Sequence, residues 1–305
     1  MIYDVTVIGE IYQDHVFSGF AGSPQPGTEI FTDQYQSELG GGAVNTACAL
    51  ARLGRSVRLI GVIGREQFAS ISQRLAHFNV SAGDLIQSDK STGVTVSISV
   101  AEERTLFSYR GANEDLVGLL ESTPELLQSA AGSRHIHLAL PLPPSSVSRL
   151  LRPLSALGAT TSLDVGHHAE WLQASSTIGV IRAIDYLLPN AREAEVMQGS
   201  VTKYLQFCRE LGVPGIVKLG AEGAVMVENG QEMRISPPSV RVVDTTGAGD
   251  AFDGGFIHGL LAGVDPHACL ELGCICGSLS TRNPGSLEAL PSPEEIALVK
   301  ETYAT

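Results

Sequence analysis

Short runs of β-branched residues alternate with longer helical stretches along most of this chain, and this rhythm restricts the folds it can adopt. Helical periodicity is clearest at 43–54 and 68–78, and the strand-like runs cover 5–9, 57–61, 135–138, 161–164, 186–189 and 215–219. Parallel strands need crossover helices, and the intervals between these runs are long enough to supply them. The pattern therefore predicts an α/β fold with a mostly parallel central sheet and helices on both faces.

Two segments interrupt this rhythm. Residues 11–39 are rich in Gly, Pro, Thr and aromatic residues and have no helical period, and residues 92–109 alternate as a β-hairpin with a turn at 102–103. Four apolar residues of the hairpin share one face: Val94, Val96, Ile98 and Val100. We interpret the two segments as one accessory sheet that covers the carboxyl ends of the parallel strands, where α/β folds bind ligands. A hairpin packed at the edge of the main sheet is the alternative.

The composition excludes several functional classes. The 305 residues include 33 acidic and 20 basic residues, which gives a formal net charge of −13 and argues against nucleic acid as a partner. No apolar run approaches the roughly 18 residues that a membrane-spanning helix needs. The N-terminus lacks the features of a secretory signal. The five cysteines are an odd number, which favours reduced thiols and a cytoplasmic protein. Because there is no long apolar run, we expect no membrane partner.

The segment 244–256, which reads DTTGAGDAFDGGF, has the composition of a turn that binds an anion. A strand-like run at 240–243 leads into it, and a helical stretch follows from Asp250 towards Leu261. The small residues Gly247, Ala248 and Gly249 leave backbone N–H groups available at a helix N-terminus. Free donors and the partial positive charge of the helix end both favour an anion there.

Asp250 stands beside this predicted anion site. A carboxylate there adds charge repulsion, so helix capping alone explains it poorly, since Ser or Asn would cap without that cost. As a general base, Asp250 would accept the proton of a hydroxyl that attacks a phosphoryl group held by the turn. The alternative is an ordinary N-cap that follows a glycine turn.

A second glycine-rich turn, at 39–42, opens the helical stretch that begins at Ala43. Its glycines allow a ligand to approach the backbone closely. Asn45 offers a donor and an acceptor, which suit sugar hydroxyls. Taken alone, this segment would be a plain helix start.

Together the two glycine turns resemble the ribokinase (PfkB-type) family of carbohydrate and nucleoside kinases, and the resemblance extends over nearly the whole chain. It implies a ribokinase-like three-layer sandwich with a small β-sheet lid. The core would comprise residues 1–10, 40–91 and 112–305, and the lid would comprise 11–39 and 92–111. The implied activity is ATP-dependent phosphorylation of a small sugar at the hydroxyl of a primary alcohol.

The resemblance also implies roles for individual residues on the acceptor side. Asp14 would bind substrate hydroxyls, and the glycine turn would bind substrate through Gly41, Gly42 and Asn45. Asp250 would be the base and contact the substrate. The turn of Gly247, Ala248 and Gly249 would be the catalytic anion hole.

On the nucleotide side, the N-x-x-E element at 190–193 would place Asn190 and Glu193 near the water network of Mg²⁺ and the phosphates. Lys218, Gly220, Gly223, Gly247 and Gly249 would contact ATP. A monovalent cation (K⁺) would bind the Asp244 side chain, the Thr246 carbonyl and carbonyls around 282–286. The cofactors implied are ATP, Mg²⁺ and K⁺.

The chain departs from some relatives at 163–172. Fructokinase-like and ketodeoxygluconate-kinase-like relatives carry Asn and Arg where this sequence has Gly166 and His168, although Asp164 and Trp171 match. Since that Arg binds a substrate carboxylate or phosphate, an unmodified sugar or a nucleoside is favoured here. Six residues of the lid and its end would set specificity: Tyr12, Phe31, Val96, Ile98, Phe107 and Arg110. The resemblance further implies a homodimer formed through the lid.

Two other groups of residues have competing interpretations. His135, His137, His167 and His168 could bind a metal, but a histidine pair at a strand end is the better interpretation of the first two. Cys269, Cys274 and Cys276 match no zinc spacing and are predicted to be buried thiols, with Cys276 close to ATP by resemblance. The sequence lacks both the dinucleotide G-x-G-x-x-G after its first strand and a Walker motif.

Three functional hypotheses follow. The first is a sugar kinase, the second a nucleoside kinase of the same family, and the third a non-catalytic member that binds a sugar or nucleotide. The third has no need of a general base, so the presence of Asp250 disfavours it.

Overall fold

The computed structural model describes residues 3–20, 22, 27–100, 103–130 and 132–303. Its strands, in chain order, are β1 (Val5–Gly9), β2 (Tyr12–Phe20), β3 (Gln34–Gly40), β4 (Val57–Ile60), β5 (Val62–Gly64), β6 (Ile86–Ser88), β7 (Gly93–Val100), β8 (Glu103–Tyr109), β9 (His135–Ala139), β10 (Thr160–Asp164), β11 (Tyr186–Leu187), β12 (Gly215–Lys218), β13 (Ala224–Glu228) and β14 (Gln231–Ile235). Its α-helices are α1 (Gly42–Arg52), α2 (Phe68–His77), α3 (Leu116–Ser122), α4 (Pro124–Ala130), α5 (Arg152–Ala156), α6 (Ala169–Gln173), α7 (Ile178–Ile181), α8 (Ala191–Gln198), α9 (Val201–Leu211), α10 (Ala248–Ala262), α11 (Pro266–Ser280) and α12 (Pro293–Tyr303).

Five strands form the central sheet in the order β11-β10-β9-β1-β4, and all neighbouring pairs are parallel. Successive residues of a strand point to opposite faces, so each buried strand contributes to two cores. Val5 and Val7 pack in the core that includes α1, α2 and α10. Ile8 packs on the opposite face, in the core that includes α3, α5 and α9. The predicted mostly parallel, three-layer α/β architecture is confirmed.

The run predicted at 215–219 forms β12, but β12 does not pair in the parallel sheet. It pairs antiparallel with β13, which pairs antiparallel with β14. The two sheets meet where the Lys218 N–H donates to the Pro189 carbonyl at 2.9 Å. The turn between β13 and β14 is Asn229-Gly230, whose φ angles of 50° and 78° are those of a tight hairpin. This dipeptide is the sequence signal for the hairpin, which was not predicted.

The strand predicted at 240–243 is wrong. This segment is extended but pairs with no strand among the described residues, and Val242 and Val243 are exposed. Its N–H groups bond elsewhere, because Val243 and Asp244 both donate to the Thr281 carbonyl, at 2.8 and 3.1 Å. The segment therefore runs along the C-terminal end of α11 into the glycine turn at 244–249.

The two irregular segments pair into one four-stranded sheet, in the order β3-β2-β7-β8. β2 pairs antiparallel with β3 and parallel with β7, and β7 pairs antiparallel with β8. This arrangement confirms the accessory sheet and rules out a hairpin at the edge of the main sheet. The turn predicted at 102–103 lies partly outside the described residues. We call these four strands the lid sheet.

Within the described ranges, no helix combines the length and the apolar character needed to cross a membrane.

Candidate active site

A cleft of about 1220 Å³ opens at the carboxyl ends of the parallel strands, between the core and the lid sheet, and we call it the main cleft. It brings together residues that are up to 269 positions apart in the chain, from Tyr12 to Thr281. Nearly all of the predicted site residues line it: Asp14, Gly41, Gly42, Asn45, Asn190, Glu193, Lys218, Gly220, Gly223, Thr246, Gly247, Ala248, Gly249 and Asp250.

The glycine turn at 244–249 leads directly into α10. Gly247 is the N-cap of this helix and has a φ of 71°, a left-handed conformation that favours glycine. A Cβ at this position would also lie 2.6 Å from the Ser286 Cβ. The first-turn N–H groups of α10 have no carbonyl four residues earlier within the helix, and the helix end carries partial positive charge. The turn therefore has the geometry of an anion site.

The Asp244 side chain stabilises this turn through hydrogen bonds. Its Oδ1 accepts hydrogen bonds from the Thr246 N–H at 2.9 Å and the Thr246 hydroxyl at 2.6 Å. Its Oδ2 accepts the Gly285 N–H at 2.9 Å. The side chain thus joins the turn to the loop at 282–286, the two segments predicted to hold a monovalent cation.

Asp250 lies in the first turn of α10 and is half-buried. Its Oδ2 accepts a hydrogen bond of 2.7 Å from the Asn45 side-chain amide, and Asn45 is oriented in turn by the Ser286 hydroxyl, which donates at 2.9 Å. Burial and the nearby Asp164 carboxylate raise the pKa of Asp250 to about 6, although the Asn45 hydrogen bond opposes the shift. A carboxylate with this pKa is a competent general base near neutral pH.

A buried ion cluster lies beneath the glycine turn. The Lys218 ammonium lies 2.6 Å from Asp164 Oδ2 and 3.0 Å from Asp253 Oδ1. Burial opposes the charge of Lys218, but the two carboxylates outweigh it and raise the pKa of the lysine. A Cβ on Gly249 would lie 3.4 Å from this ammonium. The two carboxyl groups therefore hold the ammonium in a fixed position next to the turn.

Carboxylate oxygens of Asp164, Asp250 and Asp253 lie within 4.8 Å of one another, a spacing that would suit a metal. The Lys218 ammonium already lies between Asp164 and Asp253, so we assign no metal ion to this trio. Asp253 was not predicted as a site residue. Its spacing from Asp250, three residues or about one helical turn, was the available signal that both face the same way.

Asn190 and Glu193 form a capping box at the start of α8. Glu193 Oε2 accepts the Asn190 N–H at 2.9 Å, its Oε1 accepts the Asn190 side-chain amide at 2.7 Å, and the Glu193 N–H donates to Asn190 Oδ1. His167 Nδ1 lies 3.2 Å from Glu193 Oε1, and this contact raises the pKa of His167. A carboxylate has about four acceptor positions, and three are used here. One position is therefore left, which fits a Mg²⁺ ion contacted through water.

The far end of the main cleft is formed by loop 220–223, by residues 236–240 and by one face of α11. Gly223 has a φ of 85°, and a side chain there would collide with the Ile235 carbonyl. All five cysteines are buried and free, as predicted. Cys274 lines the cleft, whereas Cys276, which was expected close to ATP, faces the interior.

The polar face of the lid sheet turns towards the main cleft. Thr95, Ser97 and Ser108 line the cleft, together with Leu106. The cross-strand pair Val96 and Phe107 has the opposite parity and faces away. The same holds for Ile98, so three of the residues predicted to set specificity point away from the cleft. Phe31 is 83% exposed and also lies outside the lining, whereas Tyr12 belongs to it.

Glu10 is a buried carboxylate that the sequence analysis did not single out. Its Oε2 accepts the Tyr12 hydroxyl at 2.8 Å, and its Oε1 pairs with the Arg110 guanidinium. His168 Nε2 lies 3.9 Å from Glu10 Oε2. Glu10 follows directly after β1 and thus lies between Arg110 and His168, which were both noted from the sequence.

The four histidines do not gather at one site. His135 and His137 share one face of β9, as predicted, and both bond to the Ser162 hydroxyl at 2.8 Å. Burial lowers the pKa of His135 to about 3 and that of His137 to about 4, so both are neutral. His167 instead contacts Glu193 of the main cleft, and His168 lies 3.9 Å from Glu10. The metal-site hypothesis for the four histidines is wrong.

Comparison with known protein families gives a match over almost the whole chain. The model of the pfkB family of carbohydrate kinases matches residues 4–293. This chain belongs to the PfkB family of carbohydrate kinases. A ribokinase from Haemophilus influenzae is 27% identical over 310 residues, which cover 95% of this chain and 96% of that protein.

An ATP-dependent 6-phosphofructokinase from Thermoanaerobacterium thermosaccharolyticum is 26% identical over 316 residues, covering 99% of this chain and 94% of that protein. Among solved structures, Arabidopsis thaliana ribokinase complexed with ribose and ATP has a TM-score of 0.85 at 22% identity, with coverage of 98% and 99% of the two chains. The ribokinase fold is therefore shared. The chain is a kinase of the sugar and nucleoside class.

Proposed function

We propose that this kinase transfers the terminal phosphoryl group of ATP to a small sugar. The acceptor is the hydroxyl of a primary alcohol. One observation carries the proposal: a half-buried carboxylate, Asp250, faces the main cleft at the first turn of a helix whose N-terminus is open to an anion. In this proposal the carboxylate is the base and the helix N-terminus is the anion site, and phosphoryl transfer to an alcohol needs both side by side.

Asp250 acts as the general base in this proposal. It accepts the proton of the acceptor hydroxyl as that oxygen attacks the phosphorus atom and the bond to the departing ADP breaks. Its raised pKa, about 6, matches the base to neutral conditions. General-base assistance of this kind contributes about 10²–10⁴-fold to a rate.

The amides of Gly247, Ala248 and Gly249 stabilise the negative charge on the transferring group. Each well-placed donor of an anion hole is worth about 3 kcal/mol in the transition state. The nearby Lys218 ammonium adds a fixed positive charge beneath Gly249. Because its two carboxylate partners hold it in place, this charge needs no reorganisation during the reaction.

The acceptor occupies the end of the main cleft next to the lid sheet. Asp14 and Asn45 offer hydrogen-bond partners for its hydroxyls, and both line the cleft. A side chain at Gly41 would come within 2.5 Å of the Glu10 carbonyl, and one at Gly42 would come within 3.4 Å of Asp250. Gly41 therefore allows close packing against the backbone at 10–12, and Gly42 leaves room for a sugar beside the base.

ATP occupies the other end of the cleft, next to Gly220, Gly223 and α11. Mg²⁺ bound to its phosphates would neutralise charge, and Asn190 and Glu193 would contact this ion through water. K⁺ is the third proposed cofactor, held by Asp244, the Thr246 carbonyl and the loop at 282–286. The hydrogen bonds of Asp244 to both segments support this location.

We further propose a cytoplasmic enzyme that forms a homodimer through the outer face of the lid sheet. That face carries exposed aromatic side chains, among them Tyr35, Phe107 and Tyr109, which are 50%, 59% and 56% exposed. Exposed apolar patches of this kind commonly mark protein contacts. The proposed domain division, with the lid at 11–39 and 92–111, follows the lid sheet. We also propose that the protein has no nucleic acid or membrane partner.

A coupled assay of ADP release tests the function. The panel comprises pentoses, hexoses, ketoses and nucleosides, each with ATP and Mg²⁺. We expect ADP release that depends on one of the free sugars. Release only with nucleosides would make the nucleoside the acceptor, and no release despite saturable ATP binding would favour a non-catalytic member.

A further inference from the structure

Two neighbouring strands of the central sheet carry a row of polar side chains on one face. His135 and His137 of β9 lie in register with Thr160 and Ser162 of β10, so all four side chains point to the same side. We call these four residues the polar row. His135, His137 and Ser162 are fully buried, whereas Thr160 is exposed. The polar row therefore begins at the surface and ends in the core.

Hydrogen bonds connect the polar row from one end to the other. His135 Nδ1 lies 2.8 Å from the Thr160 hydroxyl oxygen, and His135 Nε2 lies 2.8 Å from the Ser162 hydroxyl oxygen. His137 Nδ1 lies 2.8 Å from the same Ser162 oxygen. Burial lowers the pKa of both histidines, so each ring is neutral and carries one N–H hydrogen. The polar row is thus a chain of neutral groups, each of which can donate and accept.

The hydrogens of the polar row can be ordered in only two ways. The Ser162 hydroxyl has one hydrogen, so it donates to one ring and accepts from the other. If His135 carries its hydrogen on Nε2, it donates to Ser162, and Ser162 donates to Nδ1 of His137, whose own hydrogen is then on Nε2. If His135 carries its hydrogen on Nδ1, every bond is reversed and His137 also carries its hydrogen on Nδ1. The two histidines therefore always share one tautomer.

The inner end of the polar row lies beside the buried ion cluster. His137 Nε2 is buried and has no hydrogen-bond partner among the described residues. Asp164 lies two residues beyond Ser162 on the same face of β10, and the charges of Asp164 and Lys218 both act on the His137 ring. Asp164 in turn has a carboxylate oxygen within 4.8 Å of the proposed base, Asp250. The polar row thus ends next to the groups that surround the base.

We propose that the polar row is a proton relay that connects the ion cluster beneath the proposed base with solvent at the opposite end of the strands. One buried water between His137 Nε2 and Asp164 would complete the path, since water commonly satisfies buried polar atoms of this kind. During turnover the relay discharges the cluster after Asp250 has accepted a proton. This use rests on the proposed function, whereas the relay itself does not.

A change between the two orders moves one proton from one end of the polar row to the other. As a proton reaches His137 Nε2, the ring passes its Nδ1 hydrogen to Ser162, and Ser162 passes its own hydrogen to His135 Nε2. His135 then gives its Nδ1 hydrogen to Thr160, which releases one proton to water. The row stays neutral, and the reverse passage takes up one proton from water and restores the first order.

Nitrogen NMR of the histidine tautomers tests the order of the hydrogens and needs no turnover. In protein that contains isotopically labelled histidine, we expect His135 and His137 both to carry hydrogen on Nε2. Asp164 acts on His137 more strongly than Lys218 does, and a carboxylate favours a donor. Opposite tautomers, or hydrogen on Nδ1 of both rings, would overturn the proposal.

A surface substitution at the outer end tests whether the two rings respond together. Thr160→Asp replaces a hydroxyl that donates or accepts with a carboxylate that only accepts, so His135 should donate to it from Nδ1. His137 should change in the same way, and the tautomer ratio of each ring should shift by about 10-fold or more, because hydrogen bonds to charged groups are strong. Thr202→Asp, at an exposed position of α9, is the matched control and should change neither ring. A change in His135 alone, or in neither ring of Thr160→Asp, would overturn the proposal.

Turnover in mixtures of light and heavy water tests whether the relay moves during the reaction. We expect kcat for the best acceptor to depend on the deuterium fraction along a curve, since several hydrogens move together. Thr160→Val removes the outer hydroxyl and should give a straight line, as a single transferred proton does, whereas Thr202→Val should keep the curve. A straight line in the wild type would exclude the relay. If no acceptor releases ADP, the proposed function fails, and the NMR measurements still decide whether the relay exists.

Discussion

The carboxylate of Asp250 is half-buried, lies near Asp164 and accepts one hydrogen bond from Asn45. The first two features favour the protonated form, and the third favours the charged form. Their balance raises the pKa to about 6. A solvent-exposed aspartate, with a pKa of about 3.9, would be a weaker base.

The pH dependence of the reaction follows from this balance. Only the deprotonated carboxylate accepts a proton, so kcat/KM should fall as pH decreases below about 6, where the folded enzyme becomes protonated. Asn45→Ala removes a hydrogen bond to the charged form and should move this inflection to higher pH. The measurement is kcat/KM from about pH 5 to about pH 8. A flat profile, or an inflection that moves down in the variant, would contradict the assignment.

Lys218 makes a second prediction at the residue scale. Lys218→Met leaves the buried carboxyl groups of Asp164 and Asp253 without their cation and should lower the free energy of unfolding by about 3–5 kcal/mol. Urea denaturation at neutral pH measures this change in the free energy of unfolding. Lys203→Met, at an exposed position of α9, is the control and should change stability by less than about 0.5 kcal/mol. Equal stability of the two variants would mean that the cluster does not depend on the ammonium.

Residue types within a motif were predictable, but their partners were not. The glycine turns, Asn45 and Asp250 were predicted from their residue types, and Asp14 from the resemblance to the ribokinase family; all of them line the main cleft. Asp253 and Glu10 escaped, since their roles depend on Lys218 and Arg110, which lie 35 and 100 positions away in the chain. Only the fold brings such pairs together.

At the scale of elements, the start of α10 combines backbone conformation with anion binding. Gly247 and Gly263 both have a φ of 71°, at the N-terminal and C-terminal ends of the same helix. A Cβ on Gly263 would meet no atom within 4 Å, whereas one on Gly247 would press on Ser286. The two positions therefore share the same conformational strain but differ in surroundings.

Alanine at each of these glycines gives a matched pair of variants. Gly263→Ala should lose about 1–2 kcal/mol of stability, because alanine is strained in the left-handed region, and Gly247→Ala should lose more, because its Cβ would also press on Ser286. Only Gly247→Ala should also lose activity, by about 100-fold, since the turn must shift and its amides with it. Thermal unfolding and the ADP-release assay measure the two effects. Equal activity of the variants would show that the turn does not bind the phosphoryl group.

Element boundaries were predictable where local signals agreed. The five parallel strands were found because β-branched runs and crossover lengths point to the same answer. The segment at 240–243 has the same apolar character, but its N–H groups bond to the end of α11, so it forms no strand. Composition alone does not distinguish an extended segment from a paired strand.

At the scale of the whole molecule, the rhythm of the sequence predicted the layers and the accessory sheet. It did not predict which face of that sheet covers the cleft. Val96, Ile98 and Phe107 were expected to set specificity but point away from the cleft, and the polar residues Thr95, Ser97 and Ser108 line it. The apolar face points away from the cleft, where the proposed dimer would place a second copy.

The proposed dimer is tested by two adjacent residues of β8. Phe107→Glu places a charge on the outer apolar face and should convert the dimer to a monomer in sedimentation or light-scattering experiments. Leu106→Glu places the same charge on the face that lines the main cleft and should leave the dimer intact. A wild-type monomer, or a dimer that persists in Phe107→Glu, would exclude this interface.

The central claim is that Asp250 takes the proton of an acceptor held beside the glycine turn, and the Asp250→Asn variant tests it most directly. Its amide preserves shape but accepts no proton, so kcat should fall by about 10²–10⁴-fold while the Kd for ATP changes by less than about twofold. Asp89→Asn, at an exposed position, controls for the loss of one charge. Phosphorylated product formed by Asp250→Asn at close to the wild-type rate would contradict the account.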